Sequence, residues 1–347
     1  MSSRPRRTRN ATIKDVAREA GVSYSTVSRV LNDYQHVRSE KREQVIDAMK
    51  RLGYVANPQA RSLVSGRSQV LGLLVHDLGN AYTAEIIHGI EETLVANGYE
   101  LMLYTTHRQK NKEAIFVNTL TYGLIDGLLL LLPLNPGGYL EKLQDERFPY
   151  VVIDHQGFDD SSPAVVATNW QGAYDATCYL IELGHRKIGF VAGTPEMSSA
   201  VERLDAYKAA LTAHGIEFRP DLVQNGDFKQ HPGYVAANAL LDLADPPTAI
   251  FAANDLSAMG VYEAIRNRGL HIPEDISVIG FDDIPEARLM HPPLTTVRQP
   301  LIDMGRLATR MLLEHIQNPN LDASRIVLPT ELIVRSSCRQ MGAAQQS

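Results

Sequence analysis

The sequence predicts an α/β protein: an N-terminal three-helix helix-turn-helix headpiece followed by a two-subdomain core of doubly wound parallel sheets. Three observations carry that prediction. Charge is split along the 347 residues, with 14 Lys and Arg against 6 Asp and Glu through Arg67, a balance of +8, and −14 in the remainder. Apolar positions at helical spacing fill the basic segment, whereas from Gln69 onward short continuous apolar runs alternate with helical stretches, the pattern of a parallel sheet covered on both faces. That alternation restarts at Asn169, so two similar halves follow in tandem.

The first 11 residues form a basic arm. In Thr12 to Ala20, Ile13, Val16, Ala17 and Ala20 recur at i, i+3, i+4, i+7, with Thr12 as N-cap and Asp15 as its capping-box partner. Gly21 stops this helix, and Ser23 caps a second that runs through Leu31 and turns Val27, Val30 and Leu31 inward. A third, from about Ser39, is expected to bury Val45, Ile46, Met49 and Leu52. The outward face of the second helix carries Tyr24, Ser25, Ser28 and Arg29, with Thr26 and Asn32 at its margins. Short hydroxyls suit phosphate, and one Arg suits a bidentate contact to guanine. A merely solvated face would more often carry Glu and Lys. The overall net charge of −6 on its face opposes a phosphate partner, but its partition reverses the objection, because the basic module alone supplies the attraction.

In the body, strands are read at Val70–Val75, Leu101–Tyr104, Gly127–Leu131, Tyr150–Ile153, Ile188–Val191, Ala249–Ala252 and Ser277–Phe281, with helices over Tyr82–Asn97, Asn169–Leu183, Ser199–His214, Tyr234–Leu243 and Asp255–Arg268. Open parallel sheets bind ligands beyond the carboxyl ends of their strands. Asp154, Asn254, Asp255, Asp282 and Asp283 stand at such ends, although Asp255 taken singly reads as a helix N-cap. Carboxylates and amides there suit a ligand rich in hydroxyls, and Tyr82 and Phe228 offer aromatic faces. His185, in Gly184-His-Arg186, is read as an anchor for the next strand.

Two distant cysteines give neither a disulfide framework nor a metal site, and the longest apolar run, Gly127 to Pro133, is too short for a bilayer. No export signal, Walker loop, His-Glu-x-x-His or nucleophile elbow is visible, so no metal, cofactor or catalytic residue is assigned and a cytoplasmic, non-enzymatic protein is expected.

The run from Thr12 to Asn32 resembles the headpiece of the LacI/GalR family of bacterial transcription regulators. Ile181 to Gly189, Ala253 to Asp255, Val278 to Asp283 and Pro293 to Pro300 resemble that family's periplasmic-binding-protein-like effector core. The resemblance implies that Tyr24, Ser25 and Arg29 read bases, that Thr26, Ser28 and Asn32 lie near phosphates, and that a hinge helix at Asn57 to Val64 inserts Leu63 into the minor groove. Pro58 departs from the usual hinge pattern. The resemblance further implies an effector touching Tyr82, Asp154 or His155, Ser199, Arg203, Phe228, Asn254 and Asp282, with Arg203 and Asp282 holding hydroxyls from opposite sides. Asn80 to Thr83 keeps one aromatic where two are common, and Asn169-Trp170 stands where Asp-Asn is usual.

The expected domains are the arm (1–11), the headpiece (12–56), hinge and linker (57–68), the core (69–338) and a tail (339–347). The N-subdomain takes 69–167 and 299–325, the C-subdomain 169–298 and 326–338. The function implied is a homodimeric repressor of carbohydrate-utilisation genes that binds near-palindromic double-stranded operator DNA and is relieved by a sugar. A nucleobase co-repressor and a sugar-processing enzyme with an appended DNA-binding domain are the alternatives.

Overall fold

A computed structural model describes residues 11–31, 34, 36–54, 67–107, 109–134, 137–155, 162–322 and 324–342. It divides into two compact units, residues 1–69 and 70–347.

The first unit holds α1 (Ile13–Glu19), α2 (Tyr24–Leu31) and α3 (Ser39–Leu52). Both halves of the expected capping box form: the Asp15 amide donates to Thr12 Oγ1 at 3.4 Å and the Thr12 amide to Asp15 Oδ2 at 3.0 Å. Ser23 Oγ accepts from the Thr26 amide at 3.2 Å, which starts α2. Gly21 and Gly53 adopt φ of +64° and +58°, so each reverses the chain after a helix at no Cβ penalty. Val16, Val27, Val45 and Ala48 are fully buried at the centre, with Leu31, Met49 and Leu52 partly buried around them. Ile46 is not part of this core. It is 39% exposed, because Val45 and Ala48, three residues apart, define the inward stripe of α3 and Ile46 lies off it.

The second unit contains two lobes. Lobe 1 is a six-stranded, wholly parallel sheet in the order β11-β5-β4-β3-β1-β2, built from β1 (Val70–Val75), β2 (Glu100–Thr105), β3 (Gly127–Leu131), β4 (Tyr150–Ile153), β5 (Ala164–Ala167) and β11 (Arg325–Leu328). Its helices are α4 (Ala81–Asn97), α5 (Lys110–Thr121), α6 (Gly137–Asp145) and α11 (Leu301–Gln317). Lobe 2 repeats the plan in the order β12-β10-β9-β8-β6-β7, from β6 (Ile188–Ala192), β7 (Val223–Asn225), β8 (Ala249–Ala252), β9 (Ser277–Asp282), β10 (Thr295–Arg298) and the antiparallel β12 (Glu331–Ile333). Around it lie α7 (Asn169–Glu182), α8 (Ser198–Ala213), α9 (Gln230–Leu241) and α10 (Asp255–Asn267). Strands β1, β3, β4, β6, β8 and β9 are buried almost throughout, as two covered faces require.

The chain crosses between lobes at Thr168, at Gln299–Pro300 and at Pro329–Thr330. The third crossing falls three residues later than expected, because Arg325 to Leu328 pairs in register with Ala164 to Ala167 and so completes the lobe 1 sheet. Thr168 and Thr330 tie two crossings together: the Thr330 amide donates to Thr168 Oγ1 at 2.9 Å, and Thr330 Oγ1 to the Thr168 carbonyl at 3.1 Å.

Candidate functional site

On the headpiece, Tyr24, Ser25 and Arg29 are exposed on one face of α2, with Thr26 and Ser28 half-buried at its edge. Ser23 Oγ lies 2.8 Å from Ser25 Oγ and 2.9 Å from Thr26 Oγ1, a hydroxyl cluster at the start of the helix. The face contains a residue that periodicity passed over. Tyr34, 53% exposed, lies with its ring centroid 5.9 Å from the Arg29 guanidinium. Its amide donates to the Arg29 carbonyl, and its own carbonyl accepts from Arg42 Nη2, both at 2.9 Å. The ring thus stands within cation–π reach of the Arg29 guanidinium on the exposed face. Asn32, Leu63 and the hinge segment with Pro58 lie outside the described residues.

In the second unit, Tyr82, Asp154, Ser199, Arg203, Phe228, Asn254 and Asp282 converge on one cavity of about 80 Å³. His155 does not line it, so of the pair Asp154 and His155 the structure brings Asp154 to the site. Asp154 follows β4, Asn254 follows β8 and Asp282 ends β9, all at the carboxyl edge where topology places ligands. Asn80 and Asn254 cap α4 and α10 by accepting the Thr83 and Ser257 amides at 2.8 and 2.9 Å, so two helix N-termini start at this cavity.

A hydrogen-bonded chain joins the two lobes. Tyr82 donates its hydroxyl to Asp154 Oδ2 at 2.5 Å, and Asn169 Nδ2 donates to Asp154 Oδ1 at 3.3 Å. Asn169 Oδ1 in turn accepts Arg203 Nε and Nη2 at 3.0 and 2.7 Å, while Arg203 Nη1 donates to the Ala253 carbonyl at 2.6 Å. Arg203 Nη1 also stands 3.5 Å from Asp282 Oδ1, and its guanidinium covers the Phe281 ring at 3.7 Å. Arg203 and Asp282 therefore do not face each other across the ligand space. Both belong to lobe 2 and are paired side by side, because α8 and β9 adjoin the same edge.

Four residues of the lining, Leu132, Asp154, Phe228 and Asp282, have φ of +50°, +53°, +55° and +114°. Non-glycine residues held there cost about 1–3 kcal/mol each, and such strain collects at functional sites. Phe228 further depends on Gly193, where a Cβ would come within 2.0 Å of its ring.

Two carboxylates depart from expectation. Asp255 caps nothing. Fully buried, it accepts from Thr296 Oγ1 at 2.6 Å and from the Ile284 amide at 2.9 Å, which ties β10 and the turn after β9 to α10. Asp283 leaves the cavity to pair with Arg298 at 2.8 Å and Arg335 at 2.5 Å. His185 bridges Thr248 Oγ1 at 2.9 Å and Ser277 Oγ at 3.0 Å at the start of lobe 2's strands, and burial holds its pKa down to about 4. Sequence reasoning missed His76, Asp77, Thr83, Met197 and Leu256 of the lining. His76 and Asp77 directly follow β1, so the strand-end rule applied to the first strand would have found them.

Burial raises the Tyr82 hydroxyl well above its usual range, with the Asp154 charge second, which keeps it a donor. Burial also raises Asp282 to about 7, outweighing the opposing Arg203 charge and the Gln299 hydrogen bond. A carboxyl whose folded pKa is raised binds protons in the native state that the unfolded chain releases. Its contribution to stability is complete below about pH 4 and is lost as pH climbs through 7. Asp282→Asn is expected to flatten the fall in melting temperature between pH 5 and 8, and parallel curves for the two proteins would show that Asp282 does not titrate there.

These features define a class: a two-lobed ligand-binding core of the periplasmic-binding-protein type in one chain with a helix-turn-helix headpiece. Residues 12–57 match the family model for bacterial regulatory proteins of the lacI family, and residues 177–338 match that for the periplasmic binding protein-like domain. The chain is 36% identical over 331 residues to the HTH-type transcriptional repressor CytR of Escherichia coli (strain K12), spanning 95% of this chain and 97% of that one. The lac repressor dimer bound to operator and the anti-inducer ONPF superposes with a TM-score of 0.84 at 29% identity, covering 95% of this chain and all of that chain. A complex of the transcriptional regulator CelR with cellobiose gives 0.73 at 35% identity, covering 94% and 99%. The chain belongs to the LacI family of bacterial regulatory proteins and is a ligand-responsive, DNA-binding repressor of that family.

Proposed function

We propose that this repressor acts as a cytoplasmic homodimer on near-palindromic operators of carbohydrate-utilisation genes and is relieved by a neutral sugar, without turning the sugar over. The observation that carries the reading is the cavity chemistry. Two carboxyl groups, Asp154 and Asp282, the Asn254 amide and the Ser199 hydroxyl surround the space, with Tyr82 and Phe228 as aromatic faces. Such a set pairs donors and acceptors with hydroxyls. The guanidinium of Arg203 is already committed to Asn169, Ala253 and Asp282, which disfavours a phosphorylated ligand. Cellobiose in the related CelR complex supports the same class. A cavity of about 80 Å³ is smaller than the roughly 150 Å³ that admits a benzene ring, so the sugar enters as the lobes part. That motion is the signal passed to the headpieces, with a coupling of about 1–3 kcal/mol.

At the DNA, Tyr24, Ser25 and Arg29 take the base-reading roles, Thr26, Ser28 and Asn32 the phosphate roles, and Leu63 the minor-groove wedge. Two-fold symmetry in the dimer imposes the near-palindrome.

The test is a panel of neutral sugars, sugar phosphates and nucleobases screened for a rise in melting temperature, since a ligand of the folded state must stabilise it by mass action. A neutral sugar is the expected hit, and a response to nucleobases alone would replace this reading with co-repression. Sugar consumed at a useful rate would make the protein an enzyme. For the headpiece, operator is first selected from a random duplex pool. Arg29→Ala should then cost about 1–3 kcal/mol against operator and much less against random duplex. Equal losses on both would reduce Arg29 to a phosphate contact.

A further inference from the structure

Asn169 is not part of the cavity lining, yet it is fully buried and stands between the groups that are. It opens α7 directly after Thr168, the residue at which the chain leaves lobe 1, and Thr168 is itself bonded to Thr330 at another crossing. Its oxygen accepts two N–H groups of Arg203 from lobe 2, at 3.0 and 2.7 Å, and its nitrogen donates to Asp154 of lobe 1 at 3.3 Å. We infer that Asn169 is the positioning residue that holds the two halves of the cleft in register, through a polarity that only a neutral carboxamide supplies.

Arg203 has only donors to offer and the Asp154 carboxylate only acceptors. A side chain placed between them must accept on one side and donate on the other while adding no charge, which a carboxamide does. Asp has the same shape but no donor. At position 169 it would satisfy Arg203 as an ion pair and set a second carboxylate oxygen against Asp154 Oδ1 in a buried space. One of the two would then have to take up a proton. Glu202, on α8 beside Arg203, and Arg325, on β11, are the further ionisable groups that share a groove with Asn169. Partial burial first and the Asp154 charge second push the half-buried Glu202 carboxyl up to about 7, against the Arg203 and Arg325 charges, so added negative charge is disfavoured here.

The polarity can be reversed without changing a shape. In Asn169→Asp combined with Asp154→Asn, the carboxylate introduced at position 169 still accepts from Arg203, the amide introduced at position 154 donates to that carboxylate, and the oxygen of the same amide accepts from Tyr82. The experiment is a double-mutant cycle on guanidinium unfolding of the full-length protein without ligand, so its outcome is independent of the effector's identity. Asn169→Asp alone should lower the unfolding equilibrium constant's margin in favour of the folded state by about tenfold or more, and the double variant should recover most of that loss relative to Asp154→Asn, a non-additivity typical of directly bonded pairs. If Asn169→Asp alone yields no folded protein, recovery of folded protein in the double variant establishes the same coupling. Additive losses, or a double variant no more stable than Asn169→Asp, would overturn the inference. A packing role would leave the isosteric Asn169→Asp near wild type, and that result would overturn it as well.

Discussion

Arg203→Ala is expected to destabilise the core by about 3 kcal/mol, near the lower end for breaking a buried ion pair, and to abolish the response to effector. Arg203 is 2% exposed, and its guanidinium bonds to buried partners. Truncation leaves the Asn169 oxygen without two donors and the Ala253 carbonyl without one, each a desolvation cost of about 1–3 kcal/mol if unrelieved. The charge left on Asp282 matters less, because that carboxyl already titrates near 7 and can take up a proton once the guanidinium is gone. That escape is why the lower end is chosen. Arg203→Lys keeps a cation but loses the planar fork that reaches Asn169 and Ala253 together, so it should fold and still respond poorly. Chemical unfolding measures the first effect, and effector-dependent release of operator the second. A loss below about 1 kcal/mol in Arg203→Ala would mean that the network relaxes around the gap.

The second large effect lies away from the cleft. Gly305→Ala should cost about 3 kcal/mol or more, the upper part of the range for forcing extra carbon into a packed core. Helix α11 meets α4 at two glycines. A Cβ at Gly305 would sit 2.1 Å from the Ile86 carbonyl oxygen and 3.0 Å from the Ile90 nitrogen, and one at Gly89 would sit 1.9 Å from the Ile302 oxygen. These obstacles are backbone, so no rotamer change relieves them and the helices must move apart. Ala is intrinsically better in a helix than Gly by about 1 kcal/mol, which offsets only part of the strain. Gly138→Ala in α6 is the control: a Cβ there meets nothing within 4 Å, and stability should hold or rise slightly. Comparable losses at the two positions would mean that helix separation is not limited by Gly305. Lobe 2 uses the same device where Gly233 and Gly260 bring α9 against α10.

Much of the candidate site was legible from strand ends. Asp154, Asn254 and Asp282 follow apolar runs, and a ligand edge follows from parallel topology before any side chain is placed. The same rule could not separate Asp282 from Asp283, one residue on, whose carboxylate is turned to Arg298 and Arg335 instead. It also read Asp255 as a cap, when the cap is Asn254 and Asp255 holds Thr296, 41 residues away. Helices α5 and α6 have ordinary mixed composition, so neither stood out from the residues around it. Tyr34 was missed because it lies beyond the end of α2, where helical spacing no longer indicates a face.

By itself the sequence determined what local spacing and composition can carry: the caps at Thr12 and Ser23, the covered strands, the tandem halves and the partition of charge between headpiece and core. These depend on residues within a few positions of one another, or on sums over a segment. The tertiary structure alone decided that Arg203 and Asp282 pair side by side, that the last crossing waits for Leu328 to pair with Ala167, and that Asn169 mediates between Asp154 and Arg203. Each of those contacts joins residues 15 to 161 positions apart, and a hydrogen bond is settled by where two groups meet in space, not by their order along the chain.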